Sequence, residues 1–324
     1  MEIRVLRYFL AVAQEGSITK ASNVLHLTQP TLSRQIKDLE EELGRPLFKR
    51  GNHNMTLTHE GRMFQKRAED IILMVDKATQ EFHSLEEISG DIYIGGGETA
   101  YWSLISDVAK EIIDEYPNVH YQLYSGNSDD VAERLDKGLL DFGIFLQPVD
   151  LTKYNHLSIP AKETWGVIMR KDSPLAKKKS VCLEDLLGLP LICSRQATYL
   201  SNNANPYREW FGEYFSKLNI VATFNLVYNA AIMVNSGIGY AITIDKLANT
   251  SSESSLCFRP LMPTLELGID IAWKKHHIFT PAADLFLTRL REQSDRKNPI
   301  IRINTVFKNC SLDQKSSYFT TNLP

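Results

Sequence analysis

Between Gln29 and Lys37 lies a set of side chains that can do chemistry on a nucleic acid: Gln29, Pro30, Thr31, Ser33, Arg34 and Lys37. At about 100° per residue, Leu32, Ile36, Leu39 and Leu43 fall on one helical stripe, while Thr31, Ser33, Arg34 and Lys37 point elsewhere. A packed core has no use for small hydroxyls and long cations, whereas phosphates and base edges in a DNA major groove do. Just upstream, Thr19 can cap a short helix that carries Ala21, Val24 and Leu25 inward. Leu27-Thr28 makes a turn, and Pro30 sits in the first turn of the next helix, where its missing N–H costs little. A short helix, a turn and an apolar-backed helix with a donor-rich outer face form a helix-turn-helix. The alternative is a surface helix whose polar face is only solvated.

Several elements must hold that helix in place. An opening helix repeats Val5, Leu6, Phe9, Leu10 and Ala13 and stops near Gly16, a natural C-terminal glycine. Gly44 ends the second helix of the motif, and residues 46–58 read as a two-stranded hairpin with the polar tip Gly51-Asn-His-Asn54. A basic hairpin beside such a helix is a wing, from which Lys49 and Arg50 can reach the backbone or a minor groove. From about Thr58, Phe64, Ala68, Ile71, Val75, Ala78, Phe82 and Leu85 recur at spacings of four and three. One long helix with a single apolar stripe needs a partner, most simply the same helix of a second chain. Beyond Gly90, strands alternate with helices: strands near 91–95, 119–124, 141–145, 165–170, 190–193, 221–226, 240–244 and 267–273, with helices near 102–116, 129–137, 206–218, 229–236 and 282–292. Repeated βα units predict a mainly parallel sheet covered by helices. Residues 298–324 are polar and weakly patterned, which reads as a frayed tail.

Composition narrows the class. At 324 residues, 43% hydrophobic and 23% charged, the chain is expected to fold into two or three domains. A net charge of −3 gives no general attraction to nucleic acid, so DNA binding needs a local patch. Arg34, Lys37, Arg45, Lys49 and Arg50 supply one, interrupted by Glu40-Glu41-Glu42. Met1-Glu-Ile-Arg lacks a signal-peptide core and no stretch has about 18 uninterrupted apolar residues, so a cytoplasmic location and no membrane partner are expected. Cys182, Cys193, Cys257 and Cys310 have neither zinc-site spacing nor the look of a disulfide frame, and no cofactor is implied.

Residues 1 to about 295 resemble the LysR-type transcriptional regulators. The resemblance rests on Phe9-Leu-Ala-Val-Ala13, Gly16-Ser17, Ala21, the block running from Leu27 to Glu40, Leu43-Gly44, Pro46-Leu-Phe48, Arg50, Leu57-Thr58 and Gly61. It implies a winged helix-turn-helix over 1–58 and a dimerising linker helix over 59–89. It also implies an α/β effector domain over 90–295, built like a type 2 periplasmic binding protein. By that analogy the first lobe covers about 91–161 and 267–295, the second about 162–266, and a flexible tail follows over 296–324. The implied activity is sequence-specific binding of double-stranded DNA, modulated by a small molecule held between the lobes. A homodimer or homotetramer is expected, and RNA polymerase is a further candidate partner. Gln29, Pro30, Ser33, Arg34 and Arg50 match positions that face DNA in the family. The resemblance leaves open effector, target genes and direction of regulation.

The effector crevice should be built from loops after strands and from helix N-termini, where backbone N–H groups favour anions. Those loops are residues 97–102, 145–147, 194–198 and 228–229, which nominate Thr99, Ala100, Phe145, Ser194, Arg195, Gln196, Thr198 and Asn229. Glu98 argues against a strongly anionic site. The rival enzyme reading takes Gly95-Gly-Gly97-Glu-Thr-Ala100 as a dinucleotide loop, but Tyr124-Ser-Gly126 stands where that fold wants an acid for the ribose. Solute-receptor function would explain only the C-terminal half.

Overall fold

The computed structural model describes residues 1–51, 54–83, 87–199 and 205–297. The chain forms two compact units that part between Glu86 and Glu87.

In the first unit, α1 (Ile3–Glu15) ends at Gly16, whose φ of 61° is left-handed. The next helix, α2 (Ile18–Val24), is capped by Ser17 rather than by Thr19: Ser17 has the extended backbone that a cap needs, and its hydroxyl accepts the Lys20 N–H. Pro30 stands in the first turn of α3 (Gln29–Leu43), which closes at Gly44 with φ 66°. Leu32, Ile36 and Leu39 are buried with Leu6, Phe9, Val12 and Ala21. Leu43 departs from the expected stripe: it lies in the last turn, outside that cluster, and is 37% exposed. β1 (Phe48–Arg50) and β2 (Met55–Leu57) pair antiparallel as the expected hairpin. Of its tip, Asn52 and His53 lie outside the described residues.

The long helix α4 (His59–His83) is anchored at its start. The Thr58 hydroxyl accepts the Gly61 N–H, and a Cβ at Gly61 would come 2.1 Å from the Leu47 carbonyl oxygen, so only glycine fits there. Phe64 packs edge-on against Phe9, and Ala68 is fully buried in the same cluster. These two seam positions therefore serve their own domain rather than a partner helix, because the first turns of α4 lie against α1. The expected seam residue Leu85 and the linker end at 84–86 lie outside the described residues.

The second unit runs β3 (Gly90–Gly96), α5 (Trp102–Glu115), β4 (Val119–Ser125), α6 (Ser128–Asp136), β5 (Phe142–Leu146), β6 (Tyr154–Arg170), α7 (Leu183–Leu186), β7 (Leu191–Ser194), α8 (Arg195–Tyr199), α9 (Pro206–Phe211), β8 (Ile220–Phe224), α10 (Val227–Asn235), β9 (Tyr240–Ile244), β10 (Leu256–Pro260), β11 (Glu266–Lys274) and α11 (Pro281–Lys297). Strand order is β4-β3-β5-β11-β6-β9-β7-β8, with β10 beside β6. Pairings of β3 with β4 and β5, and of β7 with β8 and β9, are parallel; those of β6 and β11 are antiparallel. The sheet is thus mixed rather than mainly parallel. One strand and the first half of another escaped the sequence reading. The first half of β6 is mostly exposed and carries Pro160 and Lys162, which hid it, and β10 is a short edge strand. β6 pairs with β11 up to Thr164 and with β9 from Trp165, so one strand passes from the first lobe into the second. Each lobe has its own core, one around Ile94, Val108, Phe142 and Phe286, the other around Val167, Leu191, Phe211 and Ile242. Residues 298–324, read as a frayed tail, lie outside the described residues.

Candidate DNA-contact face and interlobe cleft

The outer face of α3 is open. Gln29, Pro30, Thr31, Arg34 and Lys37 are exposed and Ser33 is half-buried, opposite the buried Leu32, Ile36 and Leu39. Arg34 lies 3.9 Å from the Asp38 carboxylate and Lys37 3.2 Å from Glu41. Such exposed i,i+4 pairs are weak and can be exchanged for phosphate contacts. The wing is tied to α3 by a residue to which the sequence reading gave no role of its own: the Glu40 carboxylate accepts the N–H groups of Leu47 (2.7 Å) and Phe48 (3.0 Å). Lys49 is exposed, and the Arg50 backbone pairs opposite Met55; the Arg50 side chain lies outside the described residues.

Further along α4 the apolar side chains face outward. Ile71, Met74 and Phe82 are 37%, 45% and 79% exposed, Val75 is half-buried and Ala78 exposed. Met63 joins them at 63%. Met63, Ile71, Met74, Ala78 and Phe82 follow helical spacing, so the open stripe is rotated slightly from the heptad expected.

In the second unit a cleft of about 520 Å³ lies between the lobes. Ser194, Arg195 and Gln196, at the exit of β7 and start of α8, line it as expected. The other nominated residues fall outside its lining. Thr99 is 6% exposed, and its hydroxyl donates to the Glu163 carboxylate, which also accepts the Ala100 N–H at 3.0 Å. Burial raises the pKa of Glu163 against the lowering effect of those two hydrogen bonds. Phe145 is fully buried and stacks on Tyr154, while its neighbours Ile144 and Leu146 face the cleft. The Thr198 hydroxyl bonds back to the Ser194 and Arg195 carbonyls, and Asn229 is exposed on α10.

The first-lobe wall includes Glu98, Asn127, Asp129, Asp130 and Gln147, none of which was nominated. Gln147 donates to Asp270 at 2.9 Å, and Ser158 holds the other oxygen of Asp270 at 2.6 Å. A Cβ at Gly268 would come 2.3 Å from the Gln147 side-chain oxygen, so the bulge in β11 is shaped to Gln147. The second-lobe wall includes Trp165 and Tyr207, whose rings lie 4.9 Å apart. Burial pushes the Cys193 thiol up to about 11 and the Tyr207 phenol well above its ordinary value, so both stay protonated at neutral pH. Packing accounts for the glycine-rich exit of β3: a Cβ at Gly95 would meet Leu140 at 2.4 Å, and one at Gly96 would meet Ile144 at 2.8 Å.

Comparison with known proteins places both units. Residues 3–62 match the bacterial regulatory helix-turn-helix protein, lysR family, and residues 85–295 match the LysR substrate binding domain. The chain is 29% identical over 294 residues to the Hca operon transcriptional activator HcaR of Escherichia coli (strain K12), covering 90% of this chain and 98% of that protein. It is 31% identical over 252 residues to the HTH-type transcriptional regulator BsdA of Bacillus subtilis (strain 168), covering 75% and 83%. Full-length CbnR, solved in complex with its target DNA, superposes with a TM-score of 0.70 at 21% identity over 90% of this chain and all of that one. These matches favour the regulator over the dinucleotide-dependent enzyme, and the chain, with its helix-turn-helix and two-lobed effector domain, belongs to the LysR family of transcriptional regulators.

Proposed function

We propose that α3 enters a DNA major groove, with Gln29 and Arg34 reading base edges, Pro30, Thr31, Ser33 and Lys37 fitting the groove and backbone, and Arg50 reaching out from the wing. The observation that carries this reading is the row of exposed donors on α3 directly opposite Leu32, Ile36 and Leu39. A second copy of the chain pairs through the outward stripe of α4, namely Ile71, Val75, Ala78 and Phe82, which sets two recognition helices on one operator. The interlobe cleft takes the small-molecule effector, and Ser194, Arg195 and Gln196 hold it. The protein works in the cytoplasm as a regulator without catalytic activity, with RNA polymerase as a further partner. Among the described residues no helix is long and apolar enough to cross a membrane.

The test is a gel-shift titration of the full chain against its operator across a salt series. Binding should weaken steeply with salt, since phosphates are being neutralised. An Arg34→Ala variant that binds as well as the parent would count against α3 as the reading helix.

A further inference from the structure

The charged side chains of the interlobe cleft are sorted by lobe. Among the described residues, the first lobe contributes Glu98, Asp129 and Asp130 and no cation, and the second contributes Arg195 and no acid. Asp129 and Asp130 also suit the N-terminus of α6, so the acids alone would say little. A second feature is independent of them. Trp165 and Tyr207, 7% and 2% exposed, line the second-lobe side; the indole N–H is buried without a hydrogen-bond partner, and the phenol has a weak one, the Cys193 thiol. Polar groups left in this state are costly, and a small shift of the two rings that bares them to the cleft would let an acceptor on a bound molecule satisfy them.

We propose that the cleft binds a bipolar small molecule. Its amine or other cationic end lies against Glu98, Asp129 and Asp130. Its anionic or hydrogen-bond-accepting end meets Arg195 and the Trp165 and Tyr207 donors. The body between them is apolar, matching Ile144, Leu146, Phe224 and Leu267. A simple anion is a poorer fit, because backbone donors at the starts of α5 and α10 are already held by Glu163 and Glu98. The inference rests on the cleft being the effector site.

Thermal unfolding of the full chain tests it with three matched series, each keeping one body and changing its ends. These are 4-aminobutyrate with propylamine and butyrate, 6-aminohexanoate with pentylamine and hexanoate, and 4-(aminomethyl)benzoate with benzylamine and 4-methylbenzoate, amino acids whose two charges stand at opposite ends of the body. At least one amino acid should raise the Tm with concentration and bind about tenfold or more tightly than its amine or its acid. Arg195→Gln should weaken the amino acid and the acid, and Asp129→Asn the amino acid and the amine, with unliganded Tm preserved because both residues are exposed. An acid that binds as tightly as its amino acid overturns the bipolar ligand but leaves the cleft as the effector site. No shift from any compound also overturns it. The cleft reading is judged separately, by whether Arg195→Gln changes the inducible expression of a reporter in cells.

Discussion

Glu98, on the loop leaving β3 in the first lobe, accepts the backbone N–H of Val227 at the start of α10 in the second, 2.5 Å away. Leu226, the N-cap of α10, offers no side-chain acceptor, so a carboxylate from the opposite lobe does the capping. That contact links lobe spacing to the protection of one helix end. A ligand that favours one lobe arrangement shifts the population that makes it. Glu98→Ala should lower stability by about 1 kcal/mol, the usual worth of a cap, and speed amide exchange at Val227 and its helical neighbours. Glu98→Gln, which keeps an oxygen acceptor, should fall between. Unaltered exchange at Val227 in the alanine variant would show that the contact does not hold the lobes.

Glu163 makes a prediction about pH. Its folded pKa is raised above the ordinary 4.5, chiefly by burial, so the folded state binds the proton more tightly than the unfolded chain does. Stability from this group is therefore greatest below pH 4.5 and declines as pH rises through the folded value. Glu163→Gln keeps an oxygen for the Thr99 hydroxyl and Ala100 N–H but has no charge to desolvate. The variant should be at least as stable as the parent at pH 7, with the advantage shrinking toward pH 4. Thr99→Val, by contrast, strips a hydrogen bond from a buried carboxylate and should cost about 1–3 kcal/mol. Parallel pH-stability curves for parent and Glu163→Gln would refute the assignment.

The parts of this molecule that follow short-range rules were legible in the residues. Leu32, Ile36 and Leu39 announce their buried face by helical spacing, and Gly16 and Gly44 announce the helix ends by the left-handed turn that they adopt. The cleft was legible only where a loop acts locally, as at Ser194-Arg-Gln196. Thr99 looked like a ligand donor because its partner Glu163 lies 64 residues away, and no local pattern carries that pairing. Phe145 was misplaced by one residue of strand register, since alternate side chains of β5 face opposite ways. Phe64 and Ala68 kept perfect heptad spacing while packing on α1, because spacing defines a stripe but not what covers it.

Arg34→Ala separates recognition from folding. The side chain is 83% exposed and only 3.9 Å pairing with Asp38 would be lost, so the Tm should stay near that of the parent. Operator affinity should fall by about 1–3 kcal/mol if the guanidinium reads a guanine, with relaxed preference at one base position. Lys37→Ala, acting on phosphate, should weaken all sequences alike and lower the salt slope by about 1. Binding of each variant to operator and to scrambled DNA across a salt series measures both quantities.

The two sides of α4 should respond to the same substitution in opposite ways. Ala68 is fully buried against the helix-turn-helix core, so Ala68→Asp places an unpaired charge among Phe9, Phe48 and Phe64 and should unfold that domain. Ile71, three residues on, is 37% exposed on the outward stripe. Ile71→Asp should leave each protomer folded, because solvent can reach the new carboxylate, yet split the paired form, where the same carboxylate would be buried against an apolar partner. Operator affinity should then drop, since two half-sites are no longer held in register. Light scattering and circular dichroism on the two variants decide the matter. A folded Ile71→Asp protein that keeps its dimer mass would move the interface off α4, whereas a folded Ala68→Asp protein would mean that the first turns of α4 are not part of the DNA-binding domain's core.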